Sequence, residues 1–349
     1  MGGYYYRQLN AEEKSVYDGL CAGFTALAPV VRVRRLDGQR LADVFTVLRL
    51  DNPLLFYVPA FSWRFDGRAE HVEILPQYLF DKGKIRDQQR SLSRRIQRLT
   101  LPLAELDDWG REKAIHDFIL ENVRYDKLKK AYSHEIIGPL GQGVGVCEGI
   151  AKTVKVLCDA AGVPCIVALC EAAPELGIQY RHAWNLVQTG GRWHHLDATF
   201  DNSLQAGTPR YDYFNLDDSH IFRDHQAPLY PLPACADSSE SYYRREKLSL
   251  TKAGDVENRV RQALRKKKET FVFHWRGGGL NREILSELLR RCGGAAAERG
   301  QFVTCSLNLP QSVIQLYFRT QPSGGQVITL QQPDEEREED GGRTPDAVL

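Results

Sequence analysis

A thiol, an imidazole and a carboxylate that together can carry nucleophilic catalysis follow one another in the chain as Cys147, His182 and Asp197. The chemistry makes a separate demand on each. A thiol with its ordinary pKa of about 8.5 is mostly unionised at neutral pH, so a working nucleophile needs a helix N-terminus and an imidazole beside it. The imidazole in turn needs a carboxylate to fix its tautomer and stabilise its cation. Cys147 closes the glycine-rich stretch Gly143-Val-Gly-Val-Cys147. It opens an apolar run (Ile150, Val154, Val156, Leu157, Ala160, Ala161) whose spacings of three and four predict a helix packed on a core. The thiol is thereby expected at the first turn, where unpaired N–H groups and the positive end of the dipole favour an anion. His182 and Asp197 lie in stretches that alternate like strands, and Gly190-Gly191 between them signals a hairpin turn.

These residues sit in motifs that resemble the transglutaminase-like superfamily, a papain-like group with the triad order Cys, His, Asp, and above all its bacterial transglutaminase-like domain proteins. The motifs are Val146-Cys147-Glu148-Gly149 with Ala151, Leu157 and Gly162-Val163-Pro164, then His182 with Trp184-Asn185-Leu186-Val187, then Trp193 with His195-Leu196-Asp197, Thr199 and Asp201. Upstream, Glu112–Asp117, Val123–Asp126, Gly138 and Leu140 resemble that group's lead-in to the cysteine. The resemblance spans about Arg111 to Asn215. Ile150 and Phe200 depart from it, standing where an aromatic and a tryptophan are common.

The resemblance implies an α+β, papain-like core in which a helix bearing the cysteine packs on an antiparallel sheet bearing histidine and aspartate. It also implies roles: Cys147 as nucleophile, His182 as base, Asp197 as orienting acid. The reaction would be acyl transfer on a peptide or carboxamide through a thioester on Cys147. Water as acceptor gives a cysteine peptidase or amidase, the expectation adopted here; a lysine amine gives a cross-linking transglutaminase. An interaction protein on an idle version of the fold is the third reading. The Cys147 N–H is the natural first oxyanion donor, Gln142 is the nearest amide side chain for a second, and Trp184, two residues from His182 on one strand face, is a candidate for lining the cleft. His194 has no assigned role, and Glu148 suits a helix start.

Composition bounds the rest. The chain has 349 residues and a net charge of +1, which leaves no electrostatic footprint for nucleic acid. No apolar run approaches the roughly 20 residues of a membrane span, and Met1-Gly-Gly-Tyr-Tyr-Tyr lacks the regions of a signal peptide. The eight cysteines form no C-x-x-C pair and scatter through apolar segments. Buried free thiols and a cytoplasmic location are therefore expected, although an even count keeps disulfides open. No metal or cofactor is implied: a loop with calcium-ligand spacing is missing, and Gly141-x-Gly143-x-Gly145 lacks a glycine at the sixth position and leads to a cysteine. Flexible delivery of Cys147 is the expected use of those glycines.

The flanking elements are predicted as an N-terminal α/β extension (1–80), the catalytic core (81–235), a small C-terminal α+β module (236–320) and a disordered acidic tail (321–349). Asn10 with Glu13 predicts a capped helix over 9–27. A strand over Val30–Leu36, a helix over Leu41–Leu50 and short strands at Leu54–Val58, Ser62–Phe65 and His71–Leu75 follow. Ile85–Leu99 reads as an amphipathic helix with a solvated arginine face, Asp108–Asn122 as a helix beside that of Cys147, and Cys165–Cys170 as a buried strand. Glu171–Gln179 is expected as a surface loop, and Thr208–Pro233 as an irregular wrap around the core. Helices over Asp255–Lys268 and Leu280–Cys292 and strands over Thr270–Trp275, Phe302–Leu307 and Val313–Phe318 complete the reading.

Overall fold

The computed structural model describes residues 3–65, 67, 69–172, 181–205 and 207–321. The expected tail beyond residue 321 and most of the loop Glu171–Gln179 lie outside them.

The chain begins with α1 (Ala11–Thr25), opened by the predicted capping box: Asn10 Oδ1 accepts from the Glu13 N–H and Glu13 Oε2 from the Asn10 N–H. Next come β1 (Val31–Arg34), α2 (Gly38–Asp51), β2 (Ala60–Arg64) and β3 (His71–Gln77), with the strands in the antiparallel order β1-β3-β2. The strand expected at Leu54–Val58 is instead a 3-10 turn over Pro53–Leu55. Proline at its start presets the turn dihedral and offers no N–H to a ladder. Two long helices follow, α3 (Lys82–Thr100) and α4 (Asp108–Asn122).

A two-residue parallel pair, β4 (Arg124–Tyr125) with β5 (Val144–Gly145), leads to α5 (Cys147–Ala160). The central sheet then runs β6 (Cys165–Cys170), β7 (His182–Thr189), β8 (Arg192–Leu196), α6 (Ala198–Leu204) and β9 (Phe214–Leu216), with the strands antiparallel in sequence order. All six residues of β6 are buried, as its unbroken apolar run requires. A short helix α7 (Asp218–Ile221) and an irregular wrap to Glu240 precede α8 (Tyr242–Arg245). The C-terminal sheet orders β10 (Ser249–Leu250), β11 (Thr270–Trp275), β13 (Val313–Arg319) and β12 (Phe302–Asn308), with α9 (Ala253–Arg265) and α10 (Arg282–Ala297) supplying its helices.

This is an α+β protein. One continuous core joins Leu20 and Leu48 of the N-terminal segment to Val154 of α5 and Leu186 of β7, while a second core gathers Val260, Phe273, Leu288 and Ile314 in the C-terminal sheet. All eight cysteines are free thiols. Among the described residues no helix is long and apolar enough to cross a membrane.

Candidate active site

Cys147 is the first residue of α5, with Val146 extended as its N-cap. Its N–H therefore has no intrahelical partner and, with the helix dipole, faces any anion that forms at the thiol. Backbones pack closely on either side of the cysteine at Gly143 and Gly149. Gly143 ends a π-helical turn (Gly138–Gln142) in the left-handed region at φ 66°, and a Cβ on Gly149 would meet the Ser133 carbonyl oxygen at 2.1 Å. These glycines let backbones close on one another around the cysteine.

A charged cluster clamps the same helix end. The fully buried Lys152 ammonium donates to Glu148 at 2.7 Å, to Glu135 at 2.9 Å and to the His134 carbonyl at 3.2 Å. Arg49 of α2 contacts Glu135 directly and lies 3.5 Å from Glu148. Burial pushes the Glu148 carboxyl up, but Lys152, His134 and Arg49 together hold it well below its usual range. Glu148 thus has the helix-start place expected of it, and it also ties α5 to α2.

His182 begins β7, directly opposite Cys170 in the β6–β7 register. Its Nε2 donates to Asp197 Oδ2 at 2.6 Å, which leaves Nδ1 as the free ring nitrogen, and its ring lines the same cavity as the Cys147 thiol. Burial opposes a charge on this ring, yet Asp197 and the thiol raise its pKa well above the ordinary histidine value. The Cys147 sulfur lies 3.9 Å from the Arg181 carbonyl oxygen. Asp197 stands one residue past β8 and not within a strand: it is the N-cap of α6, with Oδ1 accepting from the N–H groups of Thr199 at 2.8 Å and Phe200 at 3.0 Å. Burial would raise its carboxyl, and the two neighbouring imidazoles hold it far below instead.

The second imidazole belongs to His225, which the sequence reading missed. Its Nε2 reaches the same Asp197 Oδ2 at 2.9 Å, and its ring is buried against Phe200 and Trp184. Nothing in the wrap Thr208–Pro233 marks it, because that stretch has no periodicity. The local signal was only an acid–histidine dipeptide, Asp224-His225.

A cavity of about 320 Å³ opens over the thiol, lined among others by Arg49, Tyr125, Val146, Cys147, Arg181 and His182. Gln142 is exposed and does not line it, so its proposed oxyanion role has no geometric support. Trp184 does not line it either. It is buried behind His182, stacked at 6.0 Å and 13°, with its indole N–H on His195 Nδ1 at 3.0 Å. Its place is that of a packed platform. His194, the neighbour without a role, bonds the Asp237 carbonyl through Nδ1.

Two groups of side chains bring possible metal-ligand atoms within 4.8 Å of one another: His182, Asp197 and His225, and His195, Asp218 and Cys235. In the first, both Nε2 atoms are spent as donors on one carboxylate oxygen. In the second, the Trp184 donation fixes Nδ1 of His195 as acceptor, so Nε2 carries the proton that goes to Asp218 at 2.8 Å.

Residues 92–198 match the family model described as the transglutaminase-like superfamily, a span that holds Cys147, His182 and Asp197. Solved structures similar to the chain include a TGase (13% identity, 52% of this chain and 52% of that one, TM-score 0.27). A candidate cysteine protease from Cytophaga hutchinsonii matches at 18% identity over 40% of this chain and 62% of that one, TM-score 0.27. A candidate protease from Parabacteroides distasonis matches at 14% identity over 44% and 37%, TM-score 0.23. The chain thus spans less than two thirds of each of these relatives. No curated protein matches it.

Proposed function

We propose that this chain, which residues 92–198 place in the transglutaminase-like superfamily, is a cysteine-dependent acyl-transfer enzyme acting on peptide or carboxamide bonds, with water as acceptor. One observation carries the reading: Cys147 and His182 line one cavity, and the imidazole is bonded through Nε2 to Asp197 at 2.6 Å. In that geometry the Cys147 thiolate attacks the carbonyl carbon, and the Cys147 N–H receives the developing oxyanion. The His182 imidazolium gives its Nδ1 proton to the departing amine as the C–N bond breaks, leaving a thioester. Water then attacks that thioester, His182 takes its proton, and the C–S bond breaks to release a carboxylic acid and restore the thiolate.

The same triad serves transfer to a lysine amine, so the acceptor side decides between the outcomes. Arg49, Lys129 and Arg181 line the cavity against one carboxylate, Glu148. Arg49 and Arg181 each have a carboxylate partner, so the lining charges do not choose the acceptor, and the preference for water rests on the sequence resemblance. An idle interaction fold has no use for an imidazole aligned between thiol and carboxylate, which speaks against that third reading.

The test is the rate of Cys147 alkylation by iodoacetamide at pH 6.5, followed by peptide mass mapping, in wild type and His182→Ala. Wild type should label at least about tenfold faster than the variant. Peptide cleavage and incorporation of a fluorescent primary amine are then compared. Equal, slow labelling of both proteins sinks the enzyme reading, and amine incorporation that outruns cleavage makes the protein a transglutaminase.

A further inference from the structure

His225 has both ring nitrogens on carboxylates, Nε2 on Asp197 Oδ2 at 2.9 Å and Nδ1 on Asp224 Oδ1 at 2.8 Å. An ionised carboxylate only accepts, so each nitrogen must donate and the ring must carry both protons. Asp224 is itself held as an acceptor: the Tyr213 hydroxyl donates to its Oδ2 at 2.6 Å, and the Gln311 amide lies 3.3 Å from that oxygen. Gln311 comes from the turn between β12 and β13 and also donates to the His220 carbonyl at 3.0 Å. The chain of contacts therefore runs from thiol through His182, Asp197, His225 and Asp224 to the C-terminal hairpin.

We infer that His225 is a positioning residue of the triad: as a second cation on Asp197 Oδ2, it fixes the carboxylate and limits how strongly that carboxylate holds the proton on His182. The inference rests on the acyl-transfer reading of Cys147. His182 and His225 share one oxygen, with ring centroids 5.3 Å apart, so each positive ring disfavours the other while both need the same anion. The charged and titratable groups facing His225 are Asp197 at the start of α6, His182 of β7, His195 of β8, Tyr213 beside β9, and Asp224 on its own segment. Burial works against its charge, and the bonds to Asp197 and Asp224 raise its pKa in spite of that. Asp197 is thereby prevented from locking His182 as a permanent cation, which would be a poor base in the second half of the reaction.

The experiment uses the full chain and reads the rate of Cys147 alkylation by iodoacetate against pH. This anionic reagent reacts fastest while His182 is positive, so its profile falls on the alkaline side as His182 loses its proton. His225→Gln removes the second cation, and Asp224→Asn removes the anion that keeps it charged. Both variants should move the alkaline limb upward, by about half a pH unit or more. In parallel, the ¹⁵N shifts of His225 in the wild-type protein should report a doubly protonated ring at pH 7. A neutral His225 ring, or alkaline limbs within about 0.2 units of wild type in variants whose only change is a lower Tm, overturns the inference and leaves His225 a packing residue. A wild-type protein with no fast-labelling Cys147 refutes the acyl-transfer reading instead, so the two failures are distinguishable.

Discussion

At Asp197 one carboxylate oxygen receives the two N–H groups that open α6, while the other receives His182. An asparagine there has a single acceptor oxygen. If that oxygen serves the helix, an NH₂ group faces the imidazole and forces the wrong tautomer; if it serves the imidazole, the cap is lost. Asp197→Asn should therefore cut amide hydrolysis by on the order of 10⁴-fold, whereas the capping loss is about 1 kcal/mol. Turnover normalised to folded protein, measured beside chemical denaturation, separates the two. A fall in activity no larger than the fall in folded fraction would reduce Asp197 to a helix cap. Cys147, His182 and Asp197 were legible because each lies in a local motif whose residue types survive without knowledge of the fold. His225 was not, since its meaning depends on meeting Asp197 after an aperiodic stretch. Gln142 was singled out by proximity along the chain to Cys147, which says nothing of which way a π-helical turn faces.

The helix α4 carries a prediction of its own scale. Glu112 and His116, one turn apart, both face inward and are fully buried. Burial pushes the Glu112 carboxyl up to about 8, only partly offset by the Asn215 amide at 2.9 Å. The folded state thus keeps a proton that the unfolded chain, with an ordinary glutamate, gives up near 4.5. Stability from this group is complete below the unfolded pKa and is lost as pH rises toward the folded one, that is, between about 4.5 and about 8. His116, raised by its aspartate neighbours, acts in the same direction. Glu148 and Asp197, whose pKa values are lowered, lose stability only at lower pH. Comparing Tm at pH 5 and pH 8, wild type should drop more than Glu112→Gln, by up to about 1.4 kcal/mol of stability per pH unit. Equal drops in the two proteins would show that Glu112 is ionised in the fold. The bounds of α4 match the expected Asp108–Asn122, and Asp107 caps it by accepting from the Gly110 N–H. Which polar side chains point inward was not, because the usual rule places glutamate outside. Leu54–Val58 failed for the related reason that a short apolar run fits a buried turn as well as a strand.

At the scale of the molecule, the C-terminal sheet is fastened to the rest by a polar knot rather than by a shared apolar core. Arg210, fully buried, donates to Asp212 through Nε at 3.0 Å and Nη2 at 2.6 Å, and through Nη1 to Gln315 of β13 at 2.8 Å. Asp212 also accepts from Tyr243 at 2.8 Å and from Asn308 of β12 at 3.0 Å. The C-terminal strands themselves were legible from their alternation, but this knot was not: in a stretch rich in aspartate and tyrosine, an arginine reads as a solvated charge. Removing one member of a buried ion pair leaves the other uncompensated, so Arg210→Met should cost about 3–5 kcal/mol. The cost should fall on the junction. Calorimetry of the wild type should give one transition, because the knot makes the C-terminal sheet unfold with the sheet that carries His182. In the variant the C-terminal sheet should melt first, and Gln311, the hairpin's contact with Asp224, would be freed in that early transition. A pre-transition that changes the alkylation rate at Cys147 would then connect the C-terminal hairpin to the thiol through Asp224, His225 and Asp197. A single transition with a loss below about 1 kcal/mol would mean that Arg210 is an ordinary surface-like pair and that the C-terminal sheet is held by other contacts.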